Sequence, residues 1–112
     1  MPATTRTRTR TRRPEAAHAI RPHADKATAL LKALANEQRL MILCNLLDGG
    51  LTVGEINQRV ELSQSALSQH LAVLRESNIV LTQRDAQSIR YSLPAGVVTR
   101  IIKILYQEFC AG

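Results

Sequence analysis

Hydrophobic residues recur at helical spacing through the two segments that follow residue 24. Side chains at i, i+3, i+4 and i+7 share one face of a helix, so such a set predicts an amphipathic helix. One set begins at Asp25, and a second follows Asn36, a residue type that favours helix starts. The second set ends at Gly49 and Gly50. The predicted inner faces are Ala27, Leu30, Leu31 and Leu34 in the first helix, and Leu40, Met41, Leu43, Cys44 and Leu47 in the second.

Two short helices joined by a tight turn are predicted after these glycines. Thr52 and Glu55 have the spacing of a capping box, which marks the start of a helix. Ser63 follows the turn and can cap the next helix. The first short helix places Val53, Ile56 and Val60 inward, and the second places Leu67, Leu71 and Leu74 inward. This arrangement is typical of a helix-turn-helix.

A β-hairpin and a last helix complete the pattern. Residues 79–84 and 88–93 are β-like runs on either side of the turn sequence DAQ. A helix-turn-helix followed by a hairpin is a winged helix. After Pro94, a residue suited to the first turn of a helix, an apolar stripe predicts one more long helix. This stripe consists of Val98, Ile101, Ile102, Leu105 and Phe109.

The predicted fold class is therefore mainly α with a small β-hairpin, a homodimeric winged helix-turn-helix. A chain of 112 residues supports one hydrophobic core. The first and last helices both have apolar faces, and a domain this small has few elements that could cover them. We expect these two helices to form a dimer interface.

The formal net charge of +6 is concentrated at the start of the chain. Residues 1–24 hold six arginines and one glutamate, and they include the alternating sequence TRTRTRTRR. Such a segment has too few apolar side chains to fold by itself. We predict a disordered Arg/Thr-rich N-terminal arm over residues 1–24, and a winged helix-turn-helix DNA-binding and dimerisation domain over residues 25–112. The arm either adds phosphate or minor-groove contacts, or it is a solvated tail without a specific role.

Several classes of protein are excluded by what the sequence lacks. No apolar run reaches the roughly 18 to 20 residues that span a bilayer, and the chain start lacks the apolar segment of a secretory signal. We expect a cytoplasmic protein without a membrane partner. No acid and base pair, phosphate-binding loop or cofactor motif is recognisable, so we predict neither an enzyme nor a cofactor. In a reducing compartment the two cysteines are reactive, metal-binding or core thiols rather than a permanent disulfide.

The exposed N-terminal end of the second short helix is polar, uncharged and small. Short hydroxyl and amide side chains there can approach base edges, and a helix N-terminus favours a phosphate. A solvated face without DNA contacts is the alternative. Arginines at the helix end and near the hairpin tip are placed to bind backbone phosphates. The predicted DNA-binding residues are Gln64, Ser65, Ser68, Gln69, His70, Arg75, Arg84, Gln87 and Arg90.

Three segments of the chain are similar to segments of a known family. They are ALANEQRLMILCNLL, LTVGEINQRVELSQSALSQHLAVLRESNIV and RDAQSIRYSL. These resemble the ArsR/SmtB winged-helix repressors over roughly residues 25–110, and SQSALSQHLAVLR is a highly specific mark of that family. The resemblance implies a homodimer built from the first and last helices. It also implies that the two recognition helices enter successive major grooves of double-stranded operator DNA, at an imperfect inverted repeat.

The metal sites familiar from that family are missing from this sequence. The arsenic and cadmium branch has cysteines in the helix before the recognition helix, where this chain has Thr52 and Gly54. The zinc and nickel branch uses histidines and carboxylates on the last helix, but residues 94–112 contain no histidine and only Glu108. We therefore predict no metal site, although an unfamiliar one that uses Cys44 and Cys110 stays open.

The two cysteines match a third branch of the family. Cys44 lies in ILCNLL and Cys110 in EFC, which resembles the thiol- and persulfide-sensing branch, the BigR/SqrR/HlyU-like proteins. The resemblance implies that a reactive sulfur species or an oxidant joins these thiols through a disulfide or polysulfide. The reduced dimer then represses, and the oxidised dimer releases operator DNA. The alternatives are a metal-responsive repressor that uses the same thiols, or a constitutive DNA-binding protein in which Cys44 is only a core residue.

Overall fold

The computed structural model describes residues 15–111 as helices around a small antiparallel sheet. The elements are α1 (Glu15–Ile20), a 3-10 helix (Arg21–His23), α2 (Ala24–Leu34), α3 (Glu37–Asn45), β1 (Leu51–Thr52), α4 (Val53–Arg59), α5 (Gln64–Glu76), β2 (Leu81–Asp85), β3 (Ser88–Ser92), α6 (Val97–Tyr106) and a π-helix (Gln107–Ala111). α4 and α5 form the helix-turn-helix, and the hairpin of β2 and β3 forms the wing. The predicted fold class, mainly α with a small hairpin, is confirmed.

The structure differs from the predicted arm over residues 15–24. These residues are helical and lead directly into α2. The segment EAAHAI is rich in alanine, the residue with the highest helix propensity, and Glu15 in the first turn interacts favourably with the helix dipole. The Arg/Thr composition that predicted disorder ends before this segment. Residues 1–14, which contain the rest of the predicted arm, lie outside the described part of the chain.

Side-chain caps fix the starts of α3, α4 and α5 where the sequence predicted them. The side chains of Asn36 and Ser63 each accept a hydrogen bond from a backbone N–H three residues later, at 3.0 and 3.1 Å. Thr52 and Glu55 form a complete capping box, in which each side chain bonds the backbone N–H of the other, at 2.8 and 3.3 Å. Because these contacts are local, they set the boundaries of the helix-turn-helix independently of the rest of the fold.

The buried face of α3 is rotated from its predicted position. Ile42 and Leu43 are fully buried and Leu46, just beyond the helix, is nearly so, whereas Met41 is 47% exposed. Cys44 is half-buried and packs against the edge of the core. The prediction for Met41 was wrong because LMILC is almost continuously apolar, so its periodicity does not distinguish one face from the next.

The sheet has one strand more than predicted. β3 pairs antiparallel with both β1 and β2, which gives the order β1-β3-β2. β1 contains only Leu51 and Thr52, which is too short for an alternating pattern to appear in the sequence. Tyr91 of β3 is opposite Leu51, and both are buried. Through β1, the wing is joined to the start of α4.

Apolar side chains remain uncovered on the terminal helices. Val98 and Ile102 of α6 are buried, but Phe109, which was predicted to share their helical stripe, is 79% exposed. The α-helix changes to a π-helix at Gln107, and this alters the spacing on which that prediction depended. The other large exposed apolar residues of α1, α2 and α6 are Ile20, Leu31, Val97, Ile104 and Tyr106. Within residues 15–111, no helix has the length and hydrophobicity to cross a bilayer.

Candidate DNA interface and thiol pair

The N-terminal half of α5 presents four of the predicted DNA-binding side chains together. Gln64, Ser65, Ser68 and Gln69 are all exposed, whereas Leu67 between them is fully buried. The core therefore fixes the rotation of the helix and keeps this polar face outward. The unpaired N–H groups at the helix start give that end a partial positive charge, which favours a phosphate nearby.

His70 is held on the protein side of α5. It is half-buried, and its Nδ1 lies 3.5 Å from Nη1 of Arg39. Arg39 also donates from Nε to the carbonyl oxygen of Ala33 at 2.7 Å and from Nη2 to that of Lys32 at 3.4 Å. One side chain of α3 thus links the end of α2 to the recognition helix. This role of Arg39 could not be predicted from the sequence, because the contacts depend on how the helices pack.

Arg75 connects the end of α5 to the wing. Its Nη1 donates to the hydroxyl of Tyr91 at 3.2 Å, and the tyrosine ring is buried in the core. The residue remains exposed, so it can contact DNA while it keeps this bond. Its first effect in the structure is to brace the recognition helix against β3.

The wing tip presents two of the three hairpin residues that the sequence selected. Arg84 and Gln87 are exposed on either side of Ala86, which has a left-handed backbone with φ of 59°. The strand pairs run from Leu81 with Ser92 to Asp85 with Ser88, so the turn itself is only two residues long. Because the strands are paired up to this short turn, the hairpin holds these two polar side chains in fixed positions on the wing.

Arg90, the third hairpin residue, does not lie at the tip as predicted. It sits in mid-sheet, opposite Thr52 of β1 and Gln83 of β2. Its Nη2 and Nε donate to Oδ2 of Asp85 at 2.9 and 3.2 Å, and its Nη1 donates to the carbonyl oxygen of Gly50 at 2.9 Å. All three guanidinium nitrogens are therefore engaged within the protein.

Glu55 is stabilised as a carboxylate at the start of α4. The backbone N–H of Thr52 and then its hydroxyl donate to this carboxylate and lower its pKa, and nearby Arg90 lowers it further. Glu55 thus keeps its negative charge beside the wing and completes the capping box. Its charge also contributes to the position of Arg90, with Oε1 3.9 Å from Nη1.

The charge of Cys110 acts on Cys44 within one protomer. Cys44 lies half-buried on α3, Cys110 lies exposed in the π-helix that continues α6, and both are free thiols. Burial raises the pKa of Cys44, and the charge of Cys110 raises it further. α3 also packs directly against α6.

The difference in environment predicts the order in which the thiols react. Only the thiolate reacts with iodoacetamide, so the raised pKa and partial burial of Cys44 disfavour its reaction. We expect Cys110 to be alkylated first near neutral pH, and the rate at Cys44 to continue rising at higher pH. Peptide mass spectrometry across the range from about pH 6 to 10 measures both rates. In Cys110→Ser, Cys44 should react faster at a given pH, because the charge of Cys110 no longer raises its pKa. If Cys44 is labelled faster than Cys110 in the wild type, the predicted order of reaction is wrong.

The two cysteines are also candidate metal ligands, which would need further ligands close by. Across residues 15–111, histidine, cysteine, aspartate and glutamate side chains form no group of three or more that could hold a metal ion. The two thiols alone supply half of the four ligands that a structural zinc site normally has.

The fold and the exposed helix face define a winged helix-turn-helix regulator, and comparisons with known proteins identify its family. The family model described as bacterial regulatory protein, arsR family, matches residues 36–82. The transcriptional activator HlyU of Vibrio cholerae is 54% identical over 85 residues, which cover 76% of this chain and 79% of that protein. The chain belongs to the ArsR family.

Other relatives and solved structures agree with this assignment. The biofilm growth-associated repressor of Agrobacterium fabrum is 43% identical over 93 residues, covering 83% of this chain and 80% of that protein. The structure of reduced HlyU from Vibrio cholerae superposes with a TM-score of 0.77 at 50% identity, covering 82% of this chain and 97% of that one. The repressor BigR from Xylella fastidiosa gives a TM-score of 0.76 at 39% identity, covering 85% of this chain and 97% of that one.

The protein is therefore a DNA-binding transcriptional regulator of the ArsR family and not an enzyme. Regulators of this family bind double-stranded DNA and commonly dimerise. The names of the relatives include both an activator and a repressor, so family membership alone leaves the direction of regulation open.

Proposed function

We propose that this protein is a homodimeric repressor that binds operator DNA in its reduced state. It dissociates from the DNA when a reactive sulfur species or an oxidant joins Cys44 to Cys110. The proposal rests above all on the placement of the two thiols, with Cys44 on α3 and Cys110 in the π-helix that continues α6, because α3 packs directly against α6 and the charge of Cys110 raises the pKa of Cys44. A buried thiol that serves only as a core residue needs no second thiol nearby. The named relatives include a repressor and a protein whose solved structure is described as reduced.

The proposed DNA complex uses the exposed faces of α5 and the wing. The N-terminal half of α5 enters the major groove, while Arg84 and Gln87 of each wing contact the phosphate backbone. Uncovered apolar residues on α1, α2 and α6 favour a symmetric dimer. Two recognition helices about 34 to 36 Å apart then read the halves of an imperfect inverted repeat. Residues 1–14, with their arginines, add phosphate contacts that do not depend on sequence.

The sulfur chemistry begins at the more accessible thiol. The Cys110 thiolate attacks a sulfane sulfur of a polysulfide, the polysulfide S–S bond breaks, and a shorter polysulfide leaves with the electron pair. Cys44, after losing its proton to solvent, attacks the Cys110 sulfur of the resulting persulfide and expels hydrosulfide. The two thiols have then lost two electrons, which the polysulfide has accepted. If Cys44 is itself persulfidated by a second polysulfide, its outer sulfur attacks the Cys110 sulfur of the Cys110 persulfide and again expels hydrosulfide, which leaves one extra sulfur in the bridge.

In the proposed mechanism, the bridge changes DNA binding through a movement of α3. A disulfide brings the two Cα atoms to about 4.4 to 6.8 Å, so it constrains the π-helical end of α6 against α3. Arg39, on the same helix as Cys44, contacts His70 of α5. A shift of α3 therefore displaces the recognition helix or alters the distance between the two helices of the dimer. A coupling free energy of about 1 to 3 kcal/mol weakens DNA binding roughly 5- to 150-fold.

A gel shift with parallel mass analysis tests this function. The duplex is selected from a random-sequence library by the reduced protein, which is then treated with polysulfide, with peroxide, or with zinc followed by a chelator. We expect the retarded band to disappear after polysulfide, together with an intact-mass change that corresponds to two lost hydrogens or to added sulfur. Release by zinc that the chelator reverses identifies a metal sensor instead. Binding that ignores every treatment identifies a constitutive regulator.

A further inference from the structure

The contacts of Arg90 connect the wing to the helix-turn-helix. Asp85, one partner, is the last residue of β2 at the outer end of the wing. Gly50, the other, precedes β1, which leads into α4 through the capping box of Thr52 and Glu55. One side chain therefore reaches from the wing to the segment that starts the helix-turn-helix, a contact across 40 residues of sequence.

The stem of Arg90 lies directly against Gly50. A Cβ atom on Gly50 would meet Cγ of Arg90 at 3.2 Å, Cδ at 3.3 Å, and the carbonyl oxygen of Tyr91 at 3.2 Å. A methyl group on residue 50 would therefore crowd the arginine stem and β3, and these atoms would have to shift by a few tenths of an ångström. Gly54, four residues later, has no atom within 4 Å of its Cβ position and provides a natural comparison.

The chemistry of these contacts requires the guanidinium group. Its planar fork donates in fixed directions to a carboxylate on one side and a carbonyl on another, which a single ammonium does not reproduce. The side chains of Arg90 and Asp85 are 39% and 49% exposed, so solvent screens the pair and its contribution to global stability is small. The main effect of the contacts is on the orientation of the wing.

We infer that Arg90 is a positioning residue for DNA binding, which fixes the wing so that Arg84 and Gln87 meet the phosphate backbone, and that Arg90 itself contacts no phosphate. The inference rests on the wing contacts of the proposed function. It assigns opposite roles to two arginines of the same hairpin. Arg84 contacts the DNA backbone, and Arg90 holds the wing in the orientation in which Arg84 does so.

The Asp85→Asn variant separates positioning from direct contact because the two roles predict effects of opposite sign. Removing a negative charge near DNA, and freeing Arg90, increases affinity if Arg90 binds phosphate. If Arg90 positions the wing, loss of its partner lowers affinity, by roughly three- to tenfold. The measurement is fluorescence anisotropy of the full-length protein with a labelled duplex that the wild type has selected from a random-sequence library.

Two further substitutions test the contacts of Arg90 with Asp85 and Gly50. Arg90→Lys preserves the charge but not the fork, so we expect it to lose affinity nearly as much as Arg90→Ala. Gly50→Ala should weaken binding by crowding the arginine stem, while the matched control Gly54→Ala leaves affinity unchanged. Thermal unfolding of each variant, at one protein concentration, verifies that the dimer still folds.

Salt dependence and hydrogen exchange distinguish failure of the inference from failure of the proposed DNA surface. Arg84→Ala should reduce the slope of log affinity against log salt by about two for a dimer, one per protomer. In an Arg90→Ala background the same substitution should have little further effect, and the amides of β2 and β3 should exchange faster. If Arg84→Ala changes nothing in the wild type, the proposed wing contacts are wrong, whatever the exchange data say about Arg90.

The inference itself is overturned by a distinct set of results. These are higher affinity in Asp85→Asn, wild-type affinity in Arg90→Lys, or additive loss of salt slope when Arg84 and Arg90 are both replaced. Each of them shows Arg90 acting as an independent phosphate ligand.

Discussion

Cys44→Ser and Cys110→Ser should each bind operator DNA as tightly as the wild type and should not release it after polysulfide treatment. A serine oxygen cannot join a sulfur bridge, so either substitution prevents the connection between α3 and the π-helical end of α6. The wild type should lose roughly 5- to 150-fold in affinity on treatment. Each variant should change by less than about twofold, far below that range. Anisotropy titrations of reduced and treated protein measure the difference directly.

A control on the same segment makes this result specific to the thiols. Glu108→Gln alters a charge in the π-helix but keeps both cysteines, so it should respond to polysulfide like the wild type. Intact mass adds a second criterion, because a lone thiol can still gain sulfur without forming a bridge. If either single variant releases DNA on treatment, one thiol is sufficient and the two-thiol mechanism is wrong.

In the proposed mechanism, the position of Cys44 connects the sulfur bridge to the DNA-binding surface. It lies on α3, whose neighbouring residues Ile42 and Leu43 are fully buried in the core. A well-packed core does not deform locally, so a force on α3 moves the helix as a body. Arg39 on the same helix contacts both the end of α2 and His70 of α5. A displacement of α3 is thus transmitted to the terminal helices and to the recognition helix.

Local signals in the sequence were sufficient for the helix-turn-helix and its caps. Capping residues act on backbone groups three positions away, so Asn36, Thr52 and Ser63 could be assigned from spacing alone. The β-like runs at residues 79–84 and 88–93 on either side of DAQ likewise indicated the hairpin, whose strands are Leu81–Asp85 and Ser88–Ser92. Family resemblance, rather than spacing, suggested the role of Cys44 and Cys110, and that role stays a proposal.

Contacts between distant segments could not be predicted in this way. The bond from Arg90 to Gly50 spans 40 residues, and that from Arg39 to His70 spans 31. The sequence alone therefore predicts that Arg90 contacts a DNA phosphate, like other arginines of the hairpin. The same limit applies to Arg75, whose bond to a tyrosine hydroxyl appears only once β3 is placed beside α5.

Ile42→Ala should destabilise the protein far more than Met41→Ala, although the sequence pattern selected methionine for the inner face. Ile42 is fully buried, so truncation removes apolar contacts and leaves a cavity, which costs about 2 to 5 kcal/mol. Met41 is 47% exposed, and its replacement should change the free energy of unfolding by less than about 1 kcal/mol. Urea denaturation of both variants and the wild type measures the difference.

The two substitutions form a matched pair because they are adjacent on one helix and both introduce alanine, which favours helix formation. Any difference between them therefore reports burial and not helix propensity. All samples need the same protein concentration, since dimerisation contributes to apparent stability. Because α3 carries Cys44, Ile42→Ala should also blunt the response to polysulfide by loosening the helix that transmits it. Equal stability of the two variants would mean that α3 is rotated relative to the core, and the placement of Cys44 at the edge of the core would then be wrong.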